Sequence, residues 1–290
     1  MLYLLIASFM WGSSFIATKM AYDMLDPSLV VLGRLILAAV VTLPITWSYF
    51  KNHNVISKVQ LIKIIGLGLL TYPVTYLLQV TGLKLIPAVN AVTIIGMEPI
   101  IIVLVGLIFF REKTPLLVFI LGIVAFIGVL LVVGKPEKAS GNTALLGVSL
   151  VFTSTIVMAF WIRLSQKLLR EIDVKIYTAL TLQTGTVFGL PFMLFLVENW
   201  DIHYSFQGIC AIAYLGIGCS LLAAWCWNKG LENVSASVSG IFLAMEPVFG
   251  VITAILLLNE TVNIQAFAGI VMVIGAATTC IFIPKRIKFI

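Results

Sequence analysis

The sequence predicts an all-α polytopic membrane protein whose ten transmembrane helices form two inverted five-helix repeats. Three observations predict it. Of the 290 residues, 61% are apolar and only 10% are charged, with a mean hydropathy of +1.14. Soluble domains carry about 25% charged residues, so most of this chain has lipid as its solvent. The apolar residues also gather into ten runs, each near the ~20 residues needed to cross a hydrocarbon core. Finally, Met97-Glu98-Pro99 recurs as Met245-Glu246-Pro247, 148 residues on.

The runs are separated by polar, proline or glycine punctuation. The first covers 2–20 and gives way to Asp23 and Asp26-Pro27. The second, 29–50, stops at Lys51-Asn52-His53-Asn54. The third is 61–82, closed by Lys84. The fourth, 87–110, starts at a proline, carries Glu98-Pro99 and ends at Arg111-Glu112-Lys113. The fifth, 115–133, is unbroken and stops at Gly134-Lys135-Pro136. The sixth, 144–166, ends at Lys167 and Arg170. The seventh spans 176–197 and the eighth 207–228, closed by Lys229-Gly230. The ninth, 235–258, carries Glu246-Pro247 and ends at Asn259-Glu260. The tenth, 263–284, gives way to a basic tail. Connections this short leave no room for a soluble domain.

Loop charge orients the bundle. With the N-terminus cytoplasmic, thirteen basic residues fall inside: Lys51, Lys58, Lys63, Arg111, Lys113, Arg163, Lys167, Arg170, Lys175, Lys229, Lys285, Arg286 and Lys288. Four fall outside, Lys19, Lys84, Lys135 and Lys138, and Arg34 lies within a span. Lys and Arg are retained on the cytoplasmic side, so both termini are expected inside a bacterial-type cell membrane. The same rule accounts for the net charge of +6 without nucleic acid. The first run has no basic n-region or cleavage site and counts as a span. Cys210, Cys219, Cys226 and Cys280 show no CxxC or zinc spacing. His53 and His203 lie in loops, so neither a metal nor a cofactor is expected.

The shift of 148 residues also carries Gly82-Leu83 onto Gly230-Leu231, Ala88 onto Ala236, Glu112 onto Glu260 and Lys19 onto Lys167. Several matches in one register mark a duplication, with units 1–138 and 139–290. Five spans per unit is odd, so the second copy enters the membrane upside down. Inverted repeats of this kind place a binding site near the midplane between them.

Trp11-Gly12-Ser13-Ser14-Phe15, Lys19, Arg34 and the two Met-Glu-Pro helices together resemble the EamA branch of the drug/metabolite transporter superfamily, over essentially the whole chain. The resemblance implies ten helices around a central cavity lined by helices 1, 3, 4, 6, 8 and 9, with 5 and 10 peripheral. It implies transport of small metabolites, commonly amino acids or their relatives. Two features depart from the pattern: almost nothing precedes helix 1, and the repeat-mate of Arg34 is Leu182.

Glu98 and Glu246 lie near mid-span, where an acidic residue costs about 2.5–3.5 kcal/mol on insertion scales. A partner, a wet cavity or protonation must offset that. Pro99 and Pro247 lack an N–H and should kink each helix beside its carboxylate. The pairs are thus candidates for coupling or hinging, with a proton as the candidate ion; a purely structural role fits them equally. Arg34 can take a substrate carboxylate bidentately; alternatively it pairs with a Glu or Asp such as Asp23, or snorkels toward the outer interface. Cavity candidates are Trp11 and Phe15 with Thr18 on one face of helix 1, Tyr72, Thr75, Tyr76 and Gln79 on helix 3, and Asn90 and Met97 on helix 4. Helix 6 adds Met158 and Trp161 beside Ser154. Helix 8 adds Trp227, the repeat-mate of Gln79, and helix 9 adds Ser239 and Phe242. Small residues on helices 5 and 10 (Gly122, Ala125, Gly128, Gly269, Gly275, Ala276) allow close packing, in a monomer or a homodimer.

No Walker motif and no HExxH helix is present, and no His lies in a span, so neither an ATP-driven pump nor an intramembrane enzyme is expected. The expectation is a secondary transporter, in the export direction, of amino acids or their derivatives. Multidrug efflux of lipophilic cations and an uncoupled metabolite facilitator are the alternatives.

Overall fold

A computed structural model describes residues 1–52, 55–134, 142–258 and 263–282. His53, Lys135, Glu137, Lys138, Glu260, Lys285, Arg286 and Lys288 lie outside the described residues. Ten helices are long and apolar enough to cross a membrane: spans 1 to 10 are Leu2–Tyr22, Pro27–Lys51, Lys58–Leu83, Asn90–Phe109, Leu116–Val133, Thr143–Leu168, Val174–Phe195, Phe206–Leu231, Ala236–Leu257 and Ile264–Ile281. Local chemistry fixes their starts. Asp26 accepts from the Ser28 N–H with Pro27 opening span 2, and Ser57 and Gln60 form a capping box on span 3. Asp173, Ser205, Ser235 and Asn263 cap spans 7 to 10. Each cap satisfies an N–H that the helix itself cannot.

Four of the spans are not continuous α-helix, and their irregularities fall in matched pairs. Span 4 breaks at Gly96 and Met97 and span 9 at Ala244, each just before its Glu-Pro. Both spans are therefore interrupted on the N-terminal side of the carboxylate, where the prolines predict a kink. Pro99 sits in the first turn of the new helix, where its missing N–H is not required. Spans 3 and 8 instead widen into π-turns at Leu70–Val74 and Tyr214–Leu222. Pro73 explains the first, since its ring cannot donate to the preceding turn; the Thr75 hydroxyl then donates to the Leu70 carbonyl at 2.7 Å. In the second, the Cys219 carbonyl takes a side-chain donor from span 1.

Packing follows the same pairing. Spans 2 and 7 pack along a polar seam, where the Gln183 amide donates to Thr42 and Thr46 at 3.1 and 3.2 Å. Spans 5 and 10 pack so closely that a Cβ on Gly128 would lie 2.9 Å from the Gly269 carbonyl. Span 1 packs on spans 8 and 9, and span 6 on spans 3 and 4.

One relation between the halves is lopsided. Met1, Lys51, Arg111, Lys175 and Lys229 lie together at one end of the bundle, the basic end. On that side the second half of span 4 packs against the first half of span 9, with Ile102 against Gly240. Among the described residues, the first half of span 4 and the second half of span 9 show no comparable packing. Spans 4 and 9 thus meet at the basic end and part toward the opposite end.

Candidate functional site

The two breaks set Glu98 and Glu246 at the first turns of new helices, about halfway along their spans. A helix N-terminus favours negative charge. Glu98 is buried and Glu246 half-buried, and neither carboxylate has a hydrogen-bond partner among the described residues. The two are near enough for their charges to act on each other. Span 1 approaches span 9 backbone to backbone here: a Cβ on Gly12 would lie 2.5 Å from the Glu246 carbonyl and 2.7 Å from Phe249 Cβ. Gly122 of span 5 faces the Pro99 backbone at 3.7 Å.

Beside this crossing lie the aromatics. The Trp11 and Trp227 rings are 5.4 Å apart, and Trp11 Nε1 donates to the Cys219 carbonyl at 2.9 Å. The Cys219 thiol in turn donates to the Met10 carbonyl at 3.1 Å. Trp11 is half-buried, Trp227 and Trp161 are buried, and Met97 and Met158 are half-buried against the main core. Phe242 is fully buried; its carbonyl, just before the span 9 break, accepts from Ser8 at 2.7 Å. Ser239 bonds its own helix at Ala236. Phe15 is 54% exposed beside Gly250.

Arg34 is half-buried between spans 2 and 8, its Nε donating to Ser220 Oγ at 2.8 Å. It has no carboxylate partner among the described residues, so the expected alternative of a pair with Asp23 is not what the structure shows. Tyr22 and Tyr72 lie within electrostatic reach of Arg34 and of Tyr76. None of the three phenols makes a hydrogen bond among the described residues, and neither does the half-buried Gln79 amide. Tyr72 also packs, with Tyr76, against Leu35, Ala38 and Leu182. Thr75 is committed to the π-turn. Asn90 is half-buried on span 4. Helix 2 therefore contributes Arg34 to a polar cluster with helix 3. Tyr22 was not singled out from sequence; only its place at the end of span 1 hinted at it.

A second polar cluster was also missed. Arg163 is 1% exposed inside span 6, although sequence reading counted it among the loop charges. Its Nε and Nη2 donate to the two Glu112 carboxylate oxygens, each at 3.1 Å, and Nη2 also reaches Ser237 Oγ at 3.2 Å and the Ile102 carbonyl. Glu112 arrives because Arg111 takes a left-handed φ of 52°, turning the chain back under span 4 so that the Glu112 N–H bonds the Gly106 carbonyl. Gly106 faces the Arg163 guanidinium where a side chain would clash. The available signal was that Arg163 falls within the sixth apolar run.

No group of three or more His, Cys, Asp or Glu placed to hold a metal is found among the described residues. The arrangement offers two unpaired carboxylates and a partly unpaired guanidinium with phenols in electrostatic reach.

A model of the EamA-like transporter family matches residues 1–134 and 145–282. An uncharacterized transporter of Haemophilus influenzae is 40% identical over 166 residues, covering 57% of this chain and 98% of its own. An uncharacterized transporter of Archaeoglobus fulgidus is 27% identical over 282 residues, 96% of each chain. A solved crystal structure superposes with a TM-score of 0.80 at 16% identity, over 99% of this chain and 98% of that one; at that identity the likeness concerns the fold.

Proposed function

The chain belongs to the EamA-like transporter family, and on that premise we propose that this multi-pass membrane transporter is a secondary exporter of small carboxylate-bearing metabolites, amino acids or their derivatives. Units 1–138 and 139–290 act as inverted repeats that rock about the Glu98–Glu246 crossing to alternate access. The membrane is the cell membrane, with the basic end and both termini cytoplasmic, as loop charge favours.

The observation that carries the substrate class is Arg34. A guanidinium half-buried in a span is costly unless something takes its donors, and here only Nε is engaged. The terminal nitrogens, with the Tyr22 and Tyr72 phenols within electrostatic reach and Tyr76 in reach of those two, offer the donors a carboxylate accepts. Glu98 and Glu246 offer two unpaired carboxyl groups deeper in, for a substrate ammonium or a coupling proton.

Ligand-dependent thermal stability of the purified protein tests this, since only native-state binding stabilises. Carboxylate-bearing amino acids are expected to raise the midpoint saturably, and their amides or decarboxylated amines to fail. The two unpaired carboxylates beside the Trp11–Trp227 pair favour a second reading, efflux of lipophilic cations. Stabilisation by cationic dyes and not by amino acids would select it.

A further inference from the structure

The basic end is fastened by a polar cluster. Span 6 presents Ala159, Arg163 and Gln166 on one helical face. Arg163 ties span 6 to Glu112 after span 4, to the Ile102 carbonyl in span 4 and to Ser237 at the start of span 9. Gln166 Nε2 donates to the carbonyls of Leu231 and Val234 between spans 8 and 9, at 2.9 and 2.6 Å. Thr114 joins through Ser237 at 3.3 Å, and the Phe110 ring lies under both Arg163 and Lys167. These bonds cross the line where spans 4 and 9 meet.

The duplication maps that face onto span 1: Arg163 onto Phe15 and Gln166 onto Thr18, 148 residues earlier. Phe15 is more than half exposed at the parted end. Neither mate can form an ionic fork, so the two ends are not chemically equivalent, although the repeats make them topologically so.

We propose that Arg163 is a positioning residue of the transport cycle: its bonds to Glu112, Ser237 and the Ile102 carbonyl latch the basic end shut, and substrate passes that end only when they break. The closure at the opposite end is apolar, made by the Phe15 face. This rests on the transport reading above. A bidentate pair stabilises one state against the other, and removing it shifts the population toward the second state.

The test is the rate at which a thiol reagent modifies Ile102→Cys in the purified full-length protein, with Cys210, Cys219, Cys226 and Cys280 replaced by alanine. Ile102 is fully buried against Gly240 in the latched state. Glu112→Gln is expected to speed modification roughly 10-fold through that population shift, and Arg163→Lys, which keeps the charge and loses the fork, by an intermediate factor. Leu215→Cys, buried in the separate cluster of spans 1, 2 and 8, reports general loosening and is expected to keep its rate. An unchanged rate at Ile102→Cys overturns the latch. So does an equal rise at both reporters, because the cluster is then only a structural tie. Labelling needs no substrate, so a failure of transport itself would leave this result standing.

Discussion

Arg34 and Glu98 are both ionisable groups inside spans, and they differ in what they lack. Arg34 has one donor fixed by Ser220 and others unclaimed, whereas Glu98 has no partner at all among the described residues. If Arg34 takes substrate, Arg34→Gln is expected to raise the half-saturating substrate concentration at least ~10-fold, the worth of a charge-assisted bond of about 1.5 kcal/mol or more. Arg34→Lys recovers part of it, since an ammonium offers charge without the planar fork. Glu98→Gln and Glu246→Gln are expected to change the pH profile of transport more than the amount of folded protein; normal transport by both at every pH would exclude coupling through these groups. Gly12 is a packing residue by contrast. Any side chain there meets the Glu246 backbone, so Gly12→Ala is expected to cost about 1–3 kcal/mol by overpacking, read as a lowered thermal midpoint.

The broken and widened helices make the site, and they were unequally legible. Met-Glu-Pro announced the breaks in spans 4 and 9 because proline has a fixed steric consequence. Tyr72-Pro73 explains the span 3 π-turn once it is seen, but Tyr214–Leu222 holds no proline and its widening has no composition signal. What marks it is tertiary: Trp11 Nε1 reaching the Cys219 carbonyl from another helix. Trp11→Phe removes that donor and leaves a carbonyl unsatisfied in mid-span, at a cost of about 1–3 kcal/mol. Thermal unfolding of the variant in detergent checks it, and an unchanged midpoint would mean the carbonyl finds another donor. Arg163 was misread for a related reason. Loop and span differ by a few residues at a helix end, and only the turn at Arg111 brings Glu112 back to make a buried arginine tolerable.

At the scale of the molecule, ten spans were legible from composition and run length, and the family from the resemblance carried by Trp11-Gly12-Ser13-Ser14-Phe15, Lys19, Arg34 and the two Met-Glu-Pro helices. The packing of span 4 on span 9 at the basic end alone was not, because hydropathy marks which segments span and not which halves of them meet. The proposed carrier function requires a second packing that joins the other two halves, so that substrate can select either face. The polar cluster of Arg34, Tyr22, Tyr72 and Tyr76 lies toward the end away from the basic residues, and the ionic tie at Arg163 toward the basic end; on the proposed reading they belong to a site open to one side at a time. The central claim is that this chain exchanges a carboxylate-bearing metabolite between two such states. The most direct measurement is counterflow: proteoliposomes preloaded with an unlabelled amino acid and given a trace of the labelled one outside. The account predicts transient accumulation of label above equilibrium, abolished in Arg34→Gln. Label that merely equilibrates, at the same rate with or without preloading, would contradict a carrier and describe a pore.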